Sequence, residues 1–428
     1  MKTLSSLATL VVLNLIVSHQ ASAQNPVVGP VIEKGDRIAI VGDSITEQKL
    51  YSKFIETYLL ACTPQWDVQV FQFGWGGERA PGFAARQDND LAFWNPDLIT
   101  TCFGMNDGSY RAYTEAIGQN YEIGMRTIIE RFKKDGAKFV IGGPGVVDSE
   151  TFGKETPDAD KIYNANLKQL DGIAHKLAEE YGYPHADVFD TMMDVMLKAK
   201  AAKGETYPVA GGDGVHPGAN GHLAMAFAFL KVLGLKGDIA EITLDMGEQK
   251  AEASEGHRVI ATTADSVTIE SSRYPFCFYG NEEDPNGTLG ITRFLPFNEE
   301  LNRFRFTVRN FTGQKAEVQW GASKKVFTSE QLTKGINLAA EFTEGPFNAP
   351  FNATMNAVAQ KQAFETPMIK NAITSFRLYE TFLPGDPDVA SAAAMLTQKL
   401  VTKDDELHQA AQATVTPVTH TLTVRAVE

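Results

Sequence analysis

At 428 residues the chain is too long for one hydrophobic core and implies two or three domains. With 53 acidic against 39 basic residues its formal net charge is −14, which excludes nucleic acid and anionic membrane surfaces as charge-complementary partners. Hydrophobic content of 43% is that of a globular protein, and three cysteines (Cys62, Cys102 and Cys277) are too few and too scattered for a disulfide framework.

The chain opens Met1-Lys2, runs apolar from Leu7 to Val17 and reaches Ala21-Ser22-Ala23 before Gln24. One positive charge, a short apolar run and a small-x-small site predict a signal peptide over residues 1–23, cleaved after Ala23. No basic stop-transfer cluster follows, so the expectation is a secreted or periplasmic protein with no stable membrane insertion after cleavage.

The first strand is predicted at Arg37 to Val41, a β-branched run that leads into Gly42-Asp43-Ser44. A helix is expected from Glu47 to Leu60, then a strand from Val68 to Phe73 and the turn Gly74-Trp75-Gly76-Gly77. The next strand, Asp97 to Phe103, ends in Gly104-Met105-Asn106-Asp107. A helix over Tyr113 to Lys134 and a strand over Lys138 to Gly143 follow. A helix from Ala159 to Tyr181 is expected to bury Ile162, Leu167, Leu170, Ile173, Ala174 and Leu177. A short strand, Ala186 to Phe189, precedes a Met- and Ala-rich helix, and Gly211 to Pro217 opens a last helix. Five alternations of strand and helix argue an α/β, three-layer α/β/α domain on a five-stranded parallel sheet, over residues 31–235. Sites in such sheets form at the carboxyl ends of strands, and Ser44, Gly77, Asn106 and the Asp213/His216 pair all fall there.

Beyond Leu235 the pattern changes to short alternating segments: Glu241 to Leu244, Arg258 to Ala261, Ser266 to Ile269, Asn302 to Val308 and Lys315 to Trp320. With a last strand at His420 to Ala426 they predict an antiparallel β-sandwich over residues 240–345 and 415–428. Residues 346–414 read as a helical insertion, with helices at Ala349 to Phe382 and Pro387 to Ala411. Cys102, in a strand pattern, reads as a buried apolar residue, and a Cys62–Cys277 bridge is left open.

A serine hydroxyl attacks only when a base takes its proton, and the base works best when a carboxylate fixes its tautomer. Asp213-Gly214-Val215-His216 puts a carboxylate three residues before an imidazole on a glycine-rich loop. An oxyanion needs donors: the backbone N–H groups of Ser44 and Gly77 and the side-chain amide of Asn106 are placed to supply them. Trp75, Glu78 and Arg79 flank Gly77 and are candidate substrate-binding residues. His222 with His216 makes a poor zinc site because no third ligand lies nearby.

Taken as a set, these residues resemble the SGNH, or GDSL-type, hydrolase family over about Lys34 to Leu235. Gly42-Asp43-Ser44-Ile45 matches the first block, Gly77 the glycine of the second, Gly104-Met105-Asn106-Asp107 the third, and Asp213 to Pro217 the fifth. The family's second block usually carries an asparagine before its glycine, where this chain has Gln72-Phe73-Gly74. The resemblance implies a flavodoxin-like domain and a serine esterase without metal or organic cofactor. It implies Ser44 as nucleophile, His216 as base, Asp213 as its orienting carboxylate, and Ser44, Gly77 and Asn106 as the oxyanion hole. Asp43 is assigned no catalytic role. The expected substrate is an ester, most specifically an acylated glycan that loses its acetyl group. A lysophospholipase or thioesterase-like activity is the alternative, and a glycan-binding protein with an inactive hydrolase domain is the alternative from another class.

Overall fold

The computed structural model describes residues 31–427, so the expected signal peptide over residues 1–23 lies outside the described residues. Five strands, β1 (Arg37–Gly42), β2 (Gln69–Gly74), β3 (Leu98–Cys102), β4 (Lys138–Gly142) and β5 (His185–Ala186), form one sheet in the order β2-β1-β3-β4-β5. Every pair in it is parallel. β1 lies second from the edge, and Ile38, Ala39, Ile40 and Val41 are completely buried, as a strand covered on both faces must be. Its last residue, Gly42, pairs with Gly74 and Cys102, so the turns after β1, β2 and β3 meet at one edge of the sheet.

The segment after β1 is not one helix. A single turn, α1 (Ser44–Glu47), ends at Gln48, and α2 (Tyr51–Thr57) begins three residues later. A continuous helix would send the Tyr51 N–H to the Glu47 carbonyl. Instead that N–H donates to His222 Nδ1 at 3.2 Å, and the Glu47 carbonyl accepts from Lys49 Nζ at 2.6 Å. Lys49 takes a left-handed φ of 59° to make the break. The long helices α3 (Glu115–Lys133), α4 (Ala159–Tyr181), α5 (Val188–Lys203) and α6 (Ala219–Val232) cover the sheet. Two expectations are corrected here. Ile162, predicted buried, is 44% exposed, because it sits beside the stripe that Tyr163, Leu167, Leu170 and Leu177 bury. Val188 and Phe189, predicted as strand, start α5, because the Asp187 carboxylate accepts the Asp190 N–H at 3.0 Å and caps a helix there.

The second half builds two sheets from β6 (Asp238–Asp245), β7 (Lys250–Ala253), β8 (His257–Thr262), β9 (Ser266–Ser271), β10 (Arg303–Arg309), β11 (Lys315–Trp320), β12 (Ser323–Thr328), β13 (Ile336–Asn337) and β14 (Val418–Val427). Their orders are β13-β10-β6-β7 and β12-β11-β14-β9-β8. The pairs are antiparallel except β6 with β10, which runs parallel. Phe304, Phe306, Trp320, Ile269 and Leu422 are buried in the core. Within it the Trp320 indole donates to His420 Nδ1 at 3.1 Å, and Ser271 Oγ bridges His420 Nε2 at 2.9 Å and His257 Nδ1 at 2.8 Å. Burial lowers His420 to about 3 and His257 to about 4.

Two helices, α7 (Asn348–Pro367) and α8 (Pro387–Gln412), stand between β13 and β14 in sequence yet pack on the first domain. α7 covers the free edge of β2. The Lys361 ammonium donates to the Val70 carbonyl, and Glu365 Oε2 accepts the Gln72 N–H at 3.0 Å, so side chains satisfy backbone groups that a neighbouring strand would otherwise take. Lys361 is wholly buried and also pairs with Glu365 and, at 3.1 Å, with Glu56 of α2. Cys62, Cys102 and Cys277 are buried free thiols, so no Cys62–Cys277 bridge is formed. Among the described residues no helix is long and apolar enough to cross a membrane.

Candidate active site

Ser44 is the first residue of α1, lifted off the end of β1 by a turn that Asp43 caps through a 2.9 Å bond from the Ile45 N–H. Its Oγ lies 2.8 Å from His216 Nε2, and His216 Nδ1 lies 2.7 Å from Asp213 Oδ2. The other Asp213 oxygen accepts the N–H groups of Val215 and His216, each at 2.9 Å. Although burial opposes it, these bonds and the imidazole hold the Asp213 carboxyl below its ordinary value. The loop is shaped by Gly211 (φ 84°), where a Cβ would lie 1.8 Å from the His216 carbonyl oxygen. From below, the Asp148 N–H donates to the Gly214 carbonyl at 2.9 Å, and the buried Lys200 ammonium donates to Asp148 at 3.0 Å.

Gly77 has φ 74°, and a Cβ there would meet nothing within 4 Å, so the backbone angle and not space is what calls for glycine. Among the described residues neither the Gly77 N–H nor the Ser44 N–H has a protein acceptor. The Asn106 amide donates to the Glu78 carbonyl at 3.0 Å and to Asp43 Oδ2 at 3.4 Å. The Tyr110 hydroxyl donates to Asn106 Oδ1 at 3.0 Å and fixes which end of the amide faces the turn. Tyr110 and Ser109 both adopt left-handed φ, 54° and 57°, a conformation that costs non-glycine residues about 1–3 kcal/mol each. Tyr110 stacks on Tyr163 at 5.1 Å. Sequence reasoning missed this tyrosine, because nothing in Gly108-Ser109-Tyr110 signals a left-handed pair.

The turn after β2 is braced without the family's usual asparagine. Gln72 Oε1 accepts the Gly74 N–H at 3.0 Å, and the Glu47 carboxylate accepts the Gly76 N–H. Lys370, just beyond α7, holds Glu47 through contacts of 2.8 and 3.0 Å. Of the candidate substrate-binding residues, Trp75 lies under the Arg86 guanidinium at 4.1 Å and the Glu78 carboxylate pairs with Arg86 at 2.5 Å, whereas Arg79 is exposed. His222, completely buried and lowered to about 3 chiefly by burial, accepts the Tyr51 N–H at Nδ1 and pairs with Gln48 through Nε2, and among the described residues no group of three or more potential metal ligands forms.

Two carboxyls are buried beside the site. Burial, with the Asp107 and Glu78 charges nearby, raises Asp43 to about 7, and burial raises Asp107 to about 6. A folded pKa above the unfolded value means that the native state holds a proton the unfolded chain has released, so this group costs stability as pH rises from about 4 to about 7. Asp43→Asn keeps an acceptor for the Ile45 N–H and removes the ionisation. Its unfolding free energy relative to wild type is expected to grow across that interval, by on the order of 4 kcal/mol at most. Denaturant titrations at pH 4, 5.5 and 7 check this; a difference that stays flat with pH contradicts it.

Residues 40–224 match the family model described as GDSL-like Lipase/Acylhydrolase. The domain belongs to the GDSL-like lipase/acylhydrolase family. The chain is accordingly an ester-hydrolysing enzyme, and the matched span runs from β1 through the His216 loop into α6. It is similar to an acetylxylan esterase of Geobacillus stearothermophilus, at 22% identity over 228 residues, which is 48% of this chain and 97% of that one. Its fold over almost the whole length is similar to that of a gut microbial diltiazem-metabolizing enzyme. The TM-score there is 0.72 at 22% identity, covering 94% of this chain and 99% of the other. The hydrolase and its second half therefore occur together in a solved fold.

Proposed function

We propose that the chain hydrolyses carboxylic esters through an acyl-Ser44 intermediate and that its physiological reaction is the removal of acetyl groups from a carbohydrate. One observation carries the mechanism: the unbroken run of short contacts from Ser44 Oγ through His216 to Asp213. His216 Nε2 takes the Ser44 proton as the hydroxyl attacks the ester carbon, and Asp213 holds the imidazole with its proton on Nδ1 and stabilises the cation that forms. His216 then gives the proton to the leaving alcohol and activates water in the second half. The Ser44 and Gly77 N–H groups and the Asn106 amide receive the oxyanion, each donor contributing about 2.7–4 kcal/mol to the transition state.

The choice of a glycan acetate is supported by the similarity to an acetylxylan esterase and by the β-rich half appended to the hydrolase. Export after cleavage at Ala23 belongs to the same reading. The test is a substrate panel run on wild type and Ser44→Ala. Wild type is expected to release acetate from acetylated xylan and to leave lysophosphatidylcholine uncleaved, and Ser44→Ala to fold and lose turnover. Fatty-acid release without acetate release overturns the glycan reading, and wild-type turnover by Ser44→Ala overturns the mechanism.

A further inference from the structure

A cavity of about 580 Å³ opens beside the catalytic imidazole, a size suited to a small ligand. One wall is hydrolase: Gln48, Pro208, Gly212 and His216. The other wall comes from the second half of the chain, where Tyr279 and the turn Pro285-Asn286 reach over the His216 loop. The approach is close, since a Cβ on Gly218 would lie 3.0 Å from the Pro285 carbonyl oxygen and 3.6 Å from the Asn286 side-chain oxygen.

The geometry points to this cavity as the subsite for the leaving alcohol, and to that alcohol as a hydroxyl-rich ring such as a pyranose; the inference rests on the ester-hydrolase mechanism proposed above. Position comes first. Neither Gly77, Asn106 nor Tyr110 lines the cavity, so it lies apart from the oxyanion donors and on the side of His216, the group that must hand its proton to the departing oxygen. Chemistry comes second. Proline rings and the half-buried Tyr279 ring offer flat apolar surfaces to the C–H face of a sugar. Among the described residues the Asn286 amide and the Tyr279 hydroxyl have no protein hydrogen-bond partner, so both stand ready for ligand hydroxyls. A fatty alcohol would leave those polar groups unanswered, and a sugar satisfies them. In the reaction the ester C–O bond breaks toward the cavity, the alkoxide takes the proton on His216 Nε2, and the neutral sugar departs from the subsite while the acetyl group stays on Ser44.

The test compares two acetates that share an acyl group and differ in alcohol: acetylated xylobiose and ethyl acetate. Asn286→Ala and Tyr279→Ala are expected to lower the ratio of kcat/KM on acetylated xylobiose to that on ethyl acetate by about tenfold each, as loss of a ligand hydrogen bond or stacking surface would. Tyr279→Phe, which keeps the ring, is expected to fall in between. Xylobiose itself should inhibit ethyl acetate hydrolysis competitively in wild type and several-fold more weakly in both alanine variants. An unchanged ratio in folded variants, whether both rates fall or neither does, overturns the subsite and leaves the mechanism standing. A wild type that cleaves ethyl acetate and no glycosyl acetate overturns the sugar reading and the subsite together. Loss of ethyl acetate hydrolysis is tested separately by Ser44→Ala.

Discussion

Asp213→Asn is expected to lower kcat on a short-chain aryl acetate by up to about 10⁴, with KM changed little. An amide at this position can still accept the Val215 and His216 N–H groups through its oxygen, so the loop keeps its shape. What it cannot do is face the Nδ1 proton with a carboxylate. If its NH₂ group turns to the ring, His216 is held in the tautomer that presents a proton, not a lone pair, to Ser44. Stopped-assay rates on the purified variant, with circular dichroism to verify folding, decide the matter. A kcat within tenfold of wild type would remove Asp213 from the mechanism, because its side chain is 56% exposed and then serves only as a cap for the loop.

The second large effect is on stability. Lys361→Met is expected to cost about 3–5 kcal/mol, read as a lower denaturant midpoint, because it leaves buried carboxyls without their cation. Glu56, Glu365 and Asp404 all lie at the interface of α2, α7 and α8, and each is completely buried. The Glu56 carboxyl, opposed by burial, is drawn down by the Lys361 charge; burial and the neighbouring carboxylates push Glu365 up, and burial takes Asp404 to about 6. The loss therefore comes from stranded acid and not from missing attraction. Adding Glu56→Gln and Glu365→Gln to Lys361→Met is expected to recover most of it. A triple variant no more stable than the single one would show that the packing of the lysine stem, and not its charge, was the main contribution.

How much of this was legible before folding follows from the physics of each element. Strands buried on both faces announce themselves as unbroken β-branched runs, which is why Arg37 to Val41 and Lys138 to Ile141 are read directly. β7 and β12 were missed because Lys250-Ala251-Glu252-Ala253 and Ser323-Lys324-Lys325 lie at sheet edges, where lysine blocks further pairing and no large apolar side chain marks a core-facing position. The parallel union of β6 and β10 depends on a long-range return that no local pattern encodes. In the site, the order of Ser44, Gly77, Asn106, Asp213 and His216 along the chain was enough to expect them at one sheet edge. The braces were not, since Glu47 is held by Lys370, 323 positions later, and Gln72 donates to Thr366, 294 positions later. Tyr279 and Asn286 stayed hidden for the same reason, and Tyr110 because nothing local announces its left-handed backbone.

The covered edge of β2 also sets an order of events during synthesis. Strands β1 to β5 leave the ribosome first, yet the groups that satisfy the Val70 carbonyl and the Gln72 N–H belong to Lys361 and Glu365, made almost three hundred residues later. Until then the nascent hydrolase presents an open strand edge with a buried-facing Glu56 and no lysine to meet it. A half-made chain therefore carries an exposed pairing edge that only the late-made α7 closes.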